Sequence, residues 1–221
     1  MSIREETLVD WIKSEELVDF SHSISWMEKR AVQIYTRERS ECVWLLQHPP
    51  IYTAGTSAKI KDLKDPDRFP VIKTSRGGQY TYHGPGQRVI YVMLDLNKRG
   101  KDIKKYVKNL EIWVIRSLEK LEITGETRSG RVGIWVSRPN KPSLPDGSVR
   151  EDKIAAIGVR LKKWITYHGI SINVNPDLSH FNGIVPCGIS NQGITSFEDL
   201  DNRNNINDLD NCLKETFEEV F

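Results

Sequence analysis

The spacing of apolar residues predicts two well-defined helices in the first half of the chain. In residues 102–123 apolar side chains recur every three or four positions, which is the period of a helix with one buried face. A weaker pattern begins near Ser25 and continues to about Glu38, and Ser25 and Glu28 have the spacing of a capping box. The apolar stripe of the longer helix comprises Ile103, Tyr106, Val107, Leu110, Trp113, Val114, Leu118 and Leu121.

Short apolar runs between turn-forming residues predict a set of strands. They lie at residues 42–46, 71–74, 89–96, 132–136, 153–161 and 164–174. Pro49 and Pro50 end the first strand, so a polar loop is expected from there to about Pro70. A mobile loop is expected at residues 138–152 and a helix at residues 206–221. This mixture predicts an α/β (α+β) fold, a single domain over residues 1–221 with a mixed sheet flanked by helices.

Composition and charge narrow the class of protein. Charged residues make up 28% and hydrophobic residues 38% of the 221 residues, close to the average for soluble domains. No apolar run approaches the ~20 residues that cross a bilayer, and residues 1–30 lack the apolar core of a signal peptide. The net charge of +2 is too balanced to predict nucleic-acid binding. A cytoplasmic protein that binds neither membrane nor nucleic acid is expected.

Basic residues cluster locally between Lys98 and Lys108. Such a cluster would suit an acidic protein partner, although a solvated helix face has the same composition.

The five histidines lack the spacing of a metal site, so no metal is expected. His48, His83 and His168 each adjoin a glycine or proline element and are candidates to line a pocket. His22 and His180 are expected at the surface or in the core.

Residues 76–87, with the sequence RGGQYTYHGPGQ, place four glycines between two predicted strands. Glycine lets the backbone approach a ligand closely, and amides in glycine turns can hold an oxyanion. An ordinary glycine-rich turn has the same composition. The third glycine and the helix start of a dinucleotide fingerprint are missing.

Residues 153–158, with the sequence KIAAIG, begin with Lys153 and continue as small and apolar residues. A lysine beside an apolar run is poorly solvated, a setting in which ammonium groups release protons more readily. A strand-end lysine in water is the alternative. Gly158, Gly169 and the two alanines leave room above the sheet for a straight acyl chain, or for a packed helix.

Cys187 stands between Pro186 and Gly188, on rigid and sterically open backbone. An accessible nucleophile needs this setting, and a neighbouring lysine or histidine could stabilise its thiolate. Cys42 lies in an apolar strand and Cys212 in a helical stripe, so both are expected to be structural. Three widely spaced cysteines predict neither a disulfide framework nor a zinc knuckle.

These three stretches, in this order, resemble the lipoyl(octanoyl) transferase family. Its members carry an R-G-G-x-x-T-x-H-G-P-G-Q loop, a K-I-A-A-I-G strand and a P-C-G cysteine, and all three are complete here. Residues 130–136 and 173–181 also match, so the resemblance spans roughly residues 44–189. The fold that it implies is the one shared by the biotin and lipoate protein ligases.

The resemblance also implies roles for individual residues. Cys187 would be the nucleophile that forms an acyl-thioester, and Lys153 its general base and acid. Backbone amides near Gly77, Gly78 or Gly188 would hold the oxyanion. The implied acyl-binding residues are Arg76, Gly77, Gly78, Gln79, Tyr80, Thr81, Tyr82, His83, Ala156, Ile157, Gly158, Gly169, Ile170 and Ser171.

The implied reaction moves an octanoyl (or lipoyl) group from the phosphopantetheine arm of acyl carrier protein to a lysine of a lipoyl domain. Expected acceptors are the lipoyl domains of 2-oxoacid dehydrogenase acyltransferase subunits and the glycine-cleavage carrier protein. A thioester is converted to an amide, so no cofactor is expected. The alternatives are an ATP-dependent lipoate or biotin protein ligase, a non-catalytic carrier-binding module and a cysteine hydrolase.

Overall fold

The computed structural model describes residues 9–185 and 193–221. The helices are α1 (Phe20–Tyr35), α2 (Ile103–Glu119) and α3 (Ile206–Phe217). The strands are β1 (Val9–Leu17), β2 (Glu41–Gln47), β3 (Ile51–Ala54), β4 (Val71–Lys73), β5 (Tyr80–His83), β6 (Gln87–Met93), β7 (Glu126–Arg128), β8 (Arg131–Ser137), β9 (Glu151–Lys162), β10 (Ile165–Asn173) and β11 (Gly193–Ile194).

The larger sheet is mixed, with the strand order β1-β2-β6-β10-β9-β8-β7. In this order, each strand from β2 onward runs antiparallel to the next one, whereas β1 runs parallel to β2. The two-residue β11 adds to β9 in parallel. The register of β9 against β10 places Gly158 opposite Gly169. Two residues expected to bind the acyl group are therefore neighbours in the sheet.

Helices cover both faces of the central strands, which explains why these strands are continuously apolar. On β2, Val43 and Leu45 belong to one apolar core with α2 and α3. Cys42, Trp44 and Leu46 pack with α1 on the other face. All five side chains are at most 5% exposed. A mixed sheet between helices confirms the predicted fold class.

A smaller sheet, with the order β4-β3-β5, departs from the predicted loops. Strands β3 and β5 are each four residues long. Strand β3 lies in the segment that was expected to be a polar loop, and β5 lies in the glycine-rich stretch. Their side chains contribute to a separate aromatic cluster, in which the rings of Tyr52, Tyr82, Phe69 and Phe181 contact one another. The cluster supports one side of the candidate site.

Helix α1 begins earlier than predicted. Its N-cap is Asp19, whose carboxylate accepts the backbone N–H of His22 at 2.9 Å. Ser25 lies inside the helix, and its Oγ donates to the carbonyl oxygen of Ser21 at 3.2 Å. The predicted capping box of Ser25 and Glu28 was wrong, because an aspartate upstream satisfies the first free amides.

Helices α2 and α3 begin within one residue of the predicted starts, but they end at Glu119 and Phe217 and not at residues 123 and 221. Asp102 caps α2 by accepting the N–H of Lys105 at 3.0 Å, and Asn205 with Asp208 forms a capping box at α3. Ile103 departs from the predicted core stripe, because it is 42% exposed. Across the described residues, the helices are too short or too polar to span a bilayer.

Candidate active site

A cavity opens between the larger sheet and the glycine-rich segment that leads into β5. It brings together the three stretches to which acyl binding was assigned from sequence, and Lys153 lies in its wall. The lining residues are Phe20, Arg76, Gly77, Gly78, Gln79, Tyr80, Thr81, His83, Val89, Tyr91, Val132, Lys153, Ala156, Ile157, Gly158, His168, Gly169, Ile170 and Ser171. Every predicted acyl-binding residue except Tyr82 is among them.

Gly158 allows the glycine-rich segment to lie directly on β9. A Cβ atom at this position would approach the Gly77 carbonyl oxygen to 3.3 Å and Cδ of Arg76 to 3.2 Å. The Gly77 N–H donates to the carbonyl oxygen of Val159 at 3.2 Å. Since this amide is already bonded, Gly77 is not the oxyanion donor considered from sequence.

Arg76 is held by the backbone around it. Its Nη2 donates to the carbonyl oxygens of Thr53 and Gln79 at 2.9 and 3.0 Å and to the Thr53 hydroxyl at 2.7 Å. Nη1 donates to the Gly77 carbonyl oxygen at 3.0 Å. A buried guanidinium with several carbonyl partners fixes the shape of its loop. Arg76 therefore shapes the cavity wall.

Lys153 is buried, with 4% of its surface exposed, and is not the strand-end lysine in water that the sequence also allowed. Its Nζ donates to the carbonyl oxygen of Val132 at 3.2 Å and lies 4.5 Å from the ring centre of Trp135. The electron-rich face of an indole stabilises a cation. Gly133 has a φ of +120°, which only glycine adopts readily. This conformation shapes the β8 backbone beside the ammonium group.

Cys187, the predicted nucleophile, falls in residues 186–192 and so lies outside the described residues. Its pairing with Lys153 stays a prediction. After this segment, Gly193 pairs with Asp152 and Ile194 pairs with Lys153. The Thr195 N–H donates to the carbonyl oxygen of Lys153 at 3.0 Å. The chain that follows the predicted nucleophile is thus bonded to the strand that carries the predicted base.

A mobile loop was expected at residues 138–152, but Glu151 and Asp152 belong to β9 and the remaining residues, 138–150, are tied down at their base. The Arg138 N–H donates to the Arg150 carbonyl oxygen at 2.8 Å. Lys141 Nζ lies 2.9 Å from Oδ2 of Asp152, and Arg138 pairs with Asp199 at 2.5 Å. The fully buried Asp152 carboxylate forms ion pairs with Lys141 and Arg150 of this loop. Its neighbour in the sequence, Lys153, is not one of these partners.

Three histidines lie at or beside the cavity. His83 and His168 line it, whereas His48 lies behind Tyr91 and is not a lining residue. Burial lowers the pKa of His83 to about 3, and the neighbouring His48 and Arg76 add to the effect. Burial also lowers the pKa values of His48 and His168 to about 4. All three imidazoles are neutral near pH 7.

A chain of hydrogen bonds fixes the tautomer of His83. The Gln87 side-chain NH₂ donates to Oδ1 of Asn173 at 2.9 Å and to the Tyr82 carbonyl oxygen at 3.3 Å. Asn173 in turn donates to the Thr195 carbonyl oxygen at 3.0 Å. The Gln87 oxygen is therefore an acceptor, and Nδ1–H of His83 donates to it at 2.7 Å. Nε2 of His83 carries the lone pair.

Tyr82 was predicted to bind the acyl group, but it does not line the cavity. Strand alternation turns Thr81 and His83 toward the cavity and Tyr82 toward the aromatic cluster. Its hydroxyl lies 2.8 Å from Nδ1 of His180. The other ring nitrogen of His180, Nε2, lies 3.2 Å from Oδ2 of Asp177. Burial raises the pKa of Tyr82 to about 12. Tyr82 supports the site from behind.

Sequence reasoning missed four lining residues: Phe20, Val89, Tyr91 and Val132. They are aromatic or aliphatic residues of a helix start and of strands, and their pattern in the sequence is that of core residues. Tyr91 carried a weak signal, because a buried tyrosine needs a hydrogen-bond partner. His48 Nε2 accepts its O–H at 2.6 Å, while His48 Nδ1–H donates to the Val18 carbonyl oxygen at 2.6 Å.

Solved structures with this arrangement define a class of fold, that of the lipoate and biotin protein ligases. A bi-partite lipoate protein ligase from Thermoplasma acidophilum matches with a TM-score of 0.68 at 16% identity, over 96% of this chain and 84% of that chain. The biotin protein ligase from Aquifex aeolicus matches with a TM-score of 0.52 at 16% identity, over 96% and 69%. At these identities the likeness concerns the fold alone.

Sequence comparison identifies the family. Residues 19–218 match the model of the lipoyl protein ligase A/B catalytic domain, and the chain belongs to this family. It is 61% identical to an octanoyltransferase from Jannaschia sp. over 97% of this chain and 99% of that protein. An octanoyltransferase from Agrobacterium fabrum is 59% identical over 96% and 80%. The resemblance seen in the motifs is confirmed.

Proposed function

We propose that this protein is an acyltransferase that moves an octanoyl (or lipoyl) group from acyl carrier protein to a lysine of a lipoyl domain. Relatives that are 61% and 59% identical over 97% and 96% of this chain are octanoyltransferases, which supports octanoyl transfer in protein lipoylation. The acceptors would be lipoyl domains of 2-oxoacid dehydrogenase acyltransferase subunits and the glycine-cleavage carrier protein. The reaction is assigned to the cytoplasm and needs no cofactor.

The observation that carries the proposal is the position of Lys153. The buried Lys153 lies in the wall of a cavity that is lined by glycines and apolar side chains together with polar residues such as Arg76 and His83. Such walls suit a straight acyl chain, and a single amine among them can move protons at the acyl carbonyl.

In the first half-reaction, the Cys187 thiolate, stabilised by the Lys153 ammonium group, attacks the carbonyl carbon of the octanoyl thioester. The bond from that carbon to the phosphopantetheine sulfur breaks. The departing phosphopantetheine sulfur takes a proton from Lys153. The products are an octanoyl-Cys187 thioester and the free thiol of the carrier.

In the second half-reaction, the lysine amine of the lipoyl domain attacks the octanoyl-Cys187 thioester. The carbon–sulfur bond breaks, and Lys153 passes a proton from the attacking amine to the Cys187 sulfur. The amides of Gly78 and Gly188 remain as candidate donors to the oxyanion, because the Gly77 amide is bonded to Val159. The product is an octanoyl amide.

The ATP-dependent ligase is the alternative that shares this fold. It would activate a free acid as an adenylate and would not need a cysteine nucleophile. The high identity to octanoyltransferases favours transfer from a thioester.

Intact mass measured after mixing the protein with octanoyl-acyl carrier protein, without ATP, tests the proposal. The native protein should gain the mass of one octanoyl group, and Cys187→Ser should not. Lys153→Ala should form the adduct ~10²–10⁴-fold more slowly, because it lacks the proton-transferring amine. Lys162→Ala, at the exposed far end of β9, is the matched control and should react at the native rate.

Circular dichroism should show that all three variants are folded. A stable adduct on Cys187→Ser would move the nucleophile elsewhere. Lipoyl-domain modification only with ATP and free octanoic acid would establish the ligase instead.

A further inference from the structure

A second depression lies outside the catalytic cavity. It is a groove of about 690 Å³ between α2 and the hairpin of β7 and β8. Ile103, Val107 and Ile115 follow one another at intervals of four and eight positions along one side of α2 and form the apolar part of a ridge that also contains Glu111. Val132 of β8 faces this ridge, and Val132 and Ile103 are 50% and 42% exposed. An open apolar surface of this kind suits a protein partner.

The rim of the groove is basic. Lys104 and Lys108 are exposed, one turn apart on α2, and neither forms an ion pair within residues 9–185 and 193–221. Arg128 lies on the opposite rim, but it is paired with Glu126 and Glu151. The two lysines therefore supply the uncompensated charge. They belong to the basic cluster that the sequence indicated.

Glu111 is the acidic lining residue, and its charge is engaged. Its Oε1 accepts the backbone N–H of Gly133 at 3.2 Å, which ties α2 to β8. With Lys104 and Lys108 also lining the groove, the α2 side keeps a net positive charge of +1, two lysines less one glutamate.

The groove and the catalytic cavity share a wall. Val132 lines both of them, and its carbonyl oxygen accepts the hydrogen bond from Lys153 Nζ. A partner in the groove would thus lie next to the cavity.

We propose that this groove docks the acyl-donating carrier protein through an acidic, amphipathic helix of that carrier. An amphipathic helix places its apolar face in a groove, and carboxylates along its edge would meet Lys104 and Lys108. This inference rests on the proposed function, since that function requires a carrier-borne thioester.

The position of the groove distinguishes the donor from the acceptor. The acyl group travels on a long phosphopantetheine arm, so its carrier can dock beside the cavity. The acceptor lysine has only its own side chain to reach the acyl carbonyl, so a lipoyl domain must dock over the cavity mouth. The flanking groove therefore fits the donor.

The test compares Lys104→Glu/Lys108→Glu with a control that has the same change in charge, Lys29→Glu/Lys214→Glu. Lys29 and Lys214 are exposed residues of α1 and α3, outside the groove. Glutamate keeps the helix propensity of lysine. KM for octanoyl-acyl carrier protein should rise roughly tenfold in the groove variant, with kcat unchanged, because electrostatic attraction to the carrier is reversed.

Two further substrates complete the test. With octanoyl-N-acetylcysteamine, a thioester without a carrier, the groove variant should match the native protein. KM for the lipoyl domain should also be unchanged. The control variant should keep the native KM for the carrier.

The outcomes separate the two proposals. Native-like KM for the carrier in the groove variant overturns the docking site, and so does a raised KM for the lipoyl domain alone. Failure of the native protein to transfer octanoate from either thioester would overturn the proposed function itself.

Discussion

The two faces of the larger sheet use buried side chains differently. On the face covered by α2 and α3, the core is apolar around Trp113, Leu110 and Phe217, and the indole N–H of Trp113 donates to a backbone carbonyl oxygen at 2.9 Å. On the face covered by α1, His48 and Tyr91 are buried and hydrogen-bonded to each other beside the cavity.

The face covered by α2 and α3 mainly stabilises the fold, whereas the face covered by α1 supplies polar side chains beside the cavity. Close-packed apolar side chains dominate the face covered by α2 and α3, although it also holds the buried ion pair of Arg88 and Asp210, whose Nε and Oδ1 atoms lie 2.8 Å apart. Buried imidazoles supply polar groups to the cavity, but they must stay neutral, so the stability of that face depends on pH. Substitutions on the two faces should therefore change different measurements.

The largest effect is expected on the apolar face. Trp113→Ala should lower the free energy of unfolding by about 3–5 kcal/mol, because it leaves a cavity under α2. Urea denaturation measures the change. Trp164→Ala, at a tryptophan that is 38% exposed, is the control and should cost about 1 kcal/mol or less. Similar losses in the two variants would contradict the assignment of this core.

A smaller, pH-dependent effect is expected at His48. Its pKa in the folded protein, about 4, lies below the ordinary 6.5, so the unfolded chain binds the proton first as the pH falls. The contribution of neutral His48 is complete above pH 6.5 and is lost as the pH falls toward 4. His48→Gln should make this slope shallower by up to about 1.4 kcal/mol per pH unit.

Urea denaturation at several pH values between 4 and 7 measures that slope. His22→Gln, at an exposed position of α1, should keep the native slope. An unchanged slope in His48→Gln would show that other groups cause the pH dependence.

The smallest effect is expected at Tyr82. Tyr82→Phe removes one hydrogen bond to His180 and should lower the free energy of unfolding by about 0.5–1.5 kcal/mol. KM for the octanoyl thioester should not change, because the side chain faces the aromatic cluster. A KM raised severalfold would return Tyr82 to the acyl-binding site.

Patterns in the sequence predicted the parts of the fold with long, regular burial. Helix α2 has a regular apolar stripe, strands β2 and β6 have apolar runs without glycine or proline, and β9 and β10 are long enough to be recognised despite Gly158 and Gly169. Strands β3 and β5 were missed, because the two prolines before β3 and the glycines on both sides of β5 indicated loops. The start of α1 was misplaced, because Asp19 gives no signal in the apolar pattern.

The candidate site was predicted where its residues are chemically distinctive. The glycines of residues 76–78, Lys153 and Gly158 stand out by type, and the structure places them around one cavity. Phe20 and Tyr91 line the same cavity but look like core residues in sequence. The direction of Tyr82 follows from the alternation of β5, which was not predicted as a strand.

Strand β7 affects how separate molecules meet. It is the edge strand of the larger sheet and has only three residues, Glu126–Arg128. Its first and last residues form an ion pair with each other. An exposed sheet edge can template pairing with another chain, and short length and charge both oppose this. At this edge the sheet limits its own growth, which protects the protein from edge-to-edge aggregation.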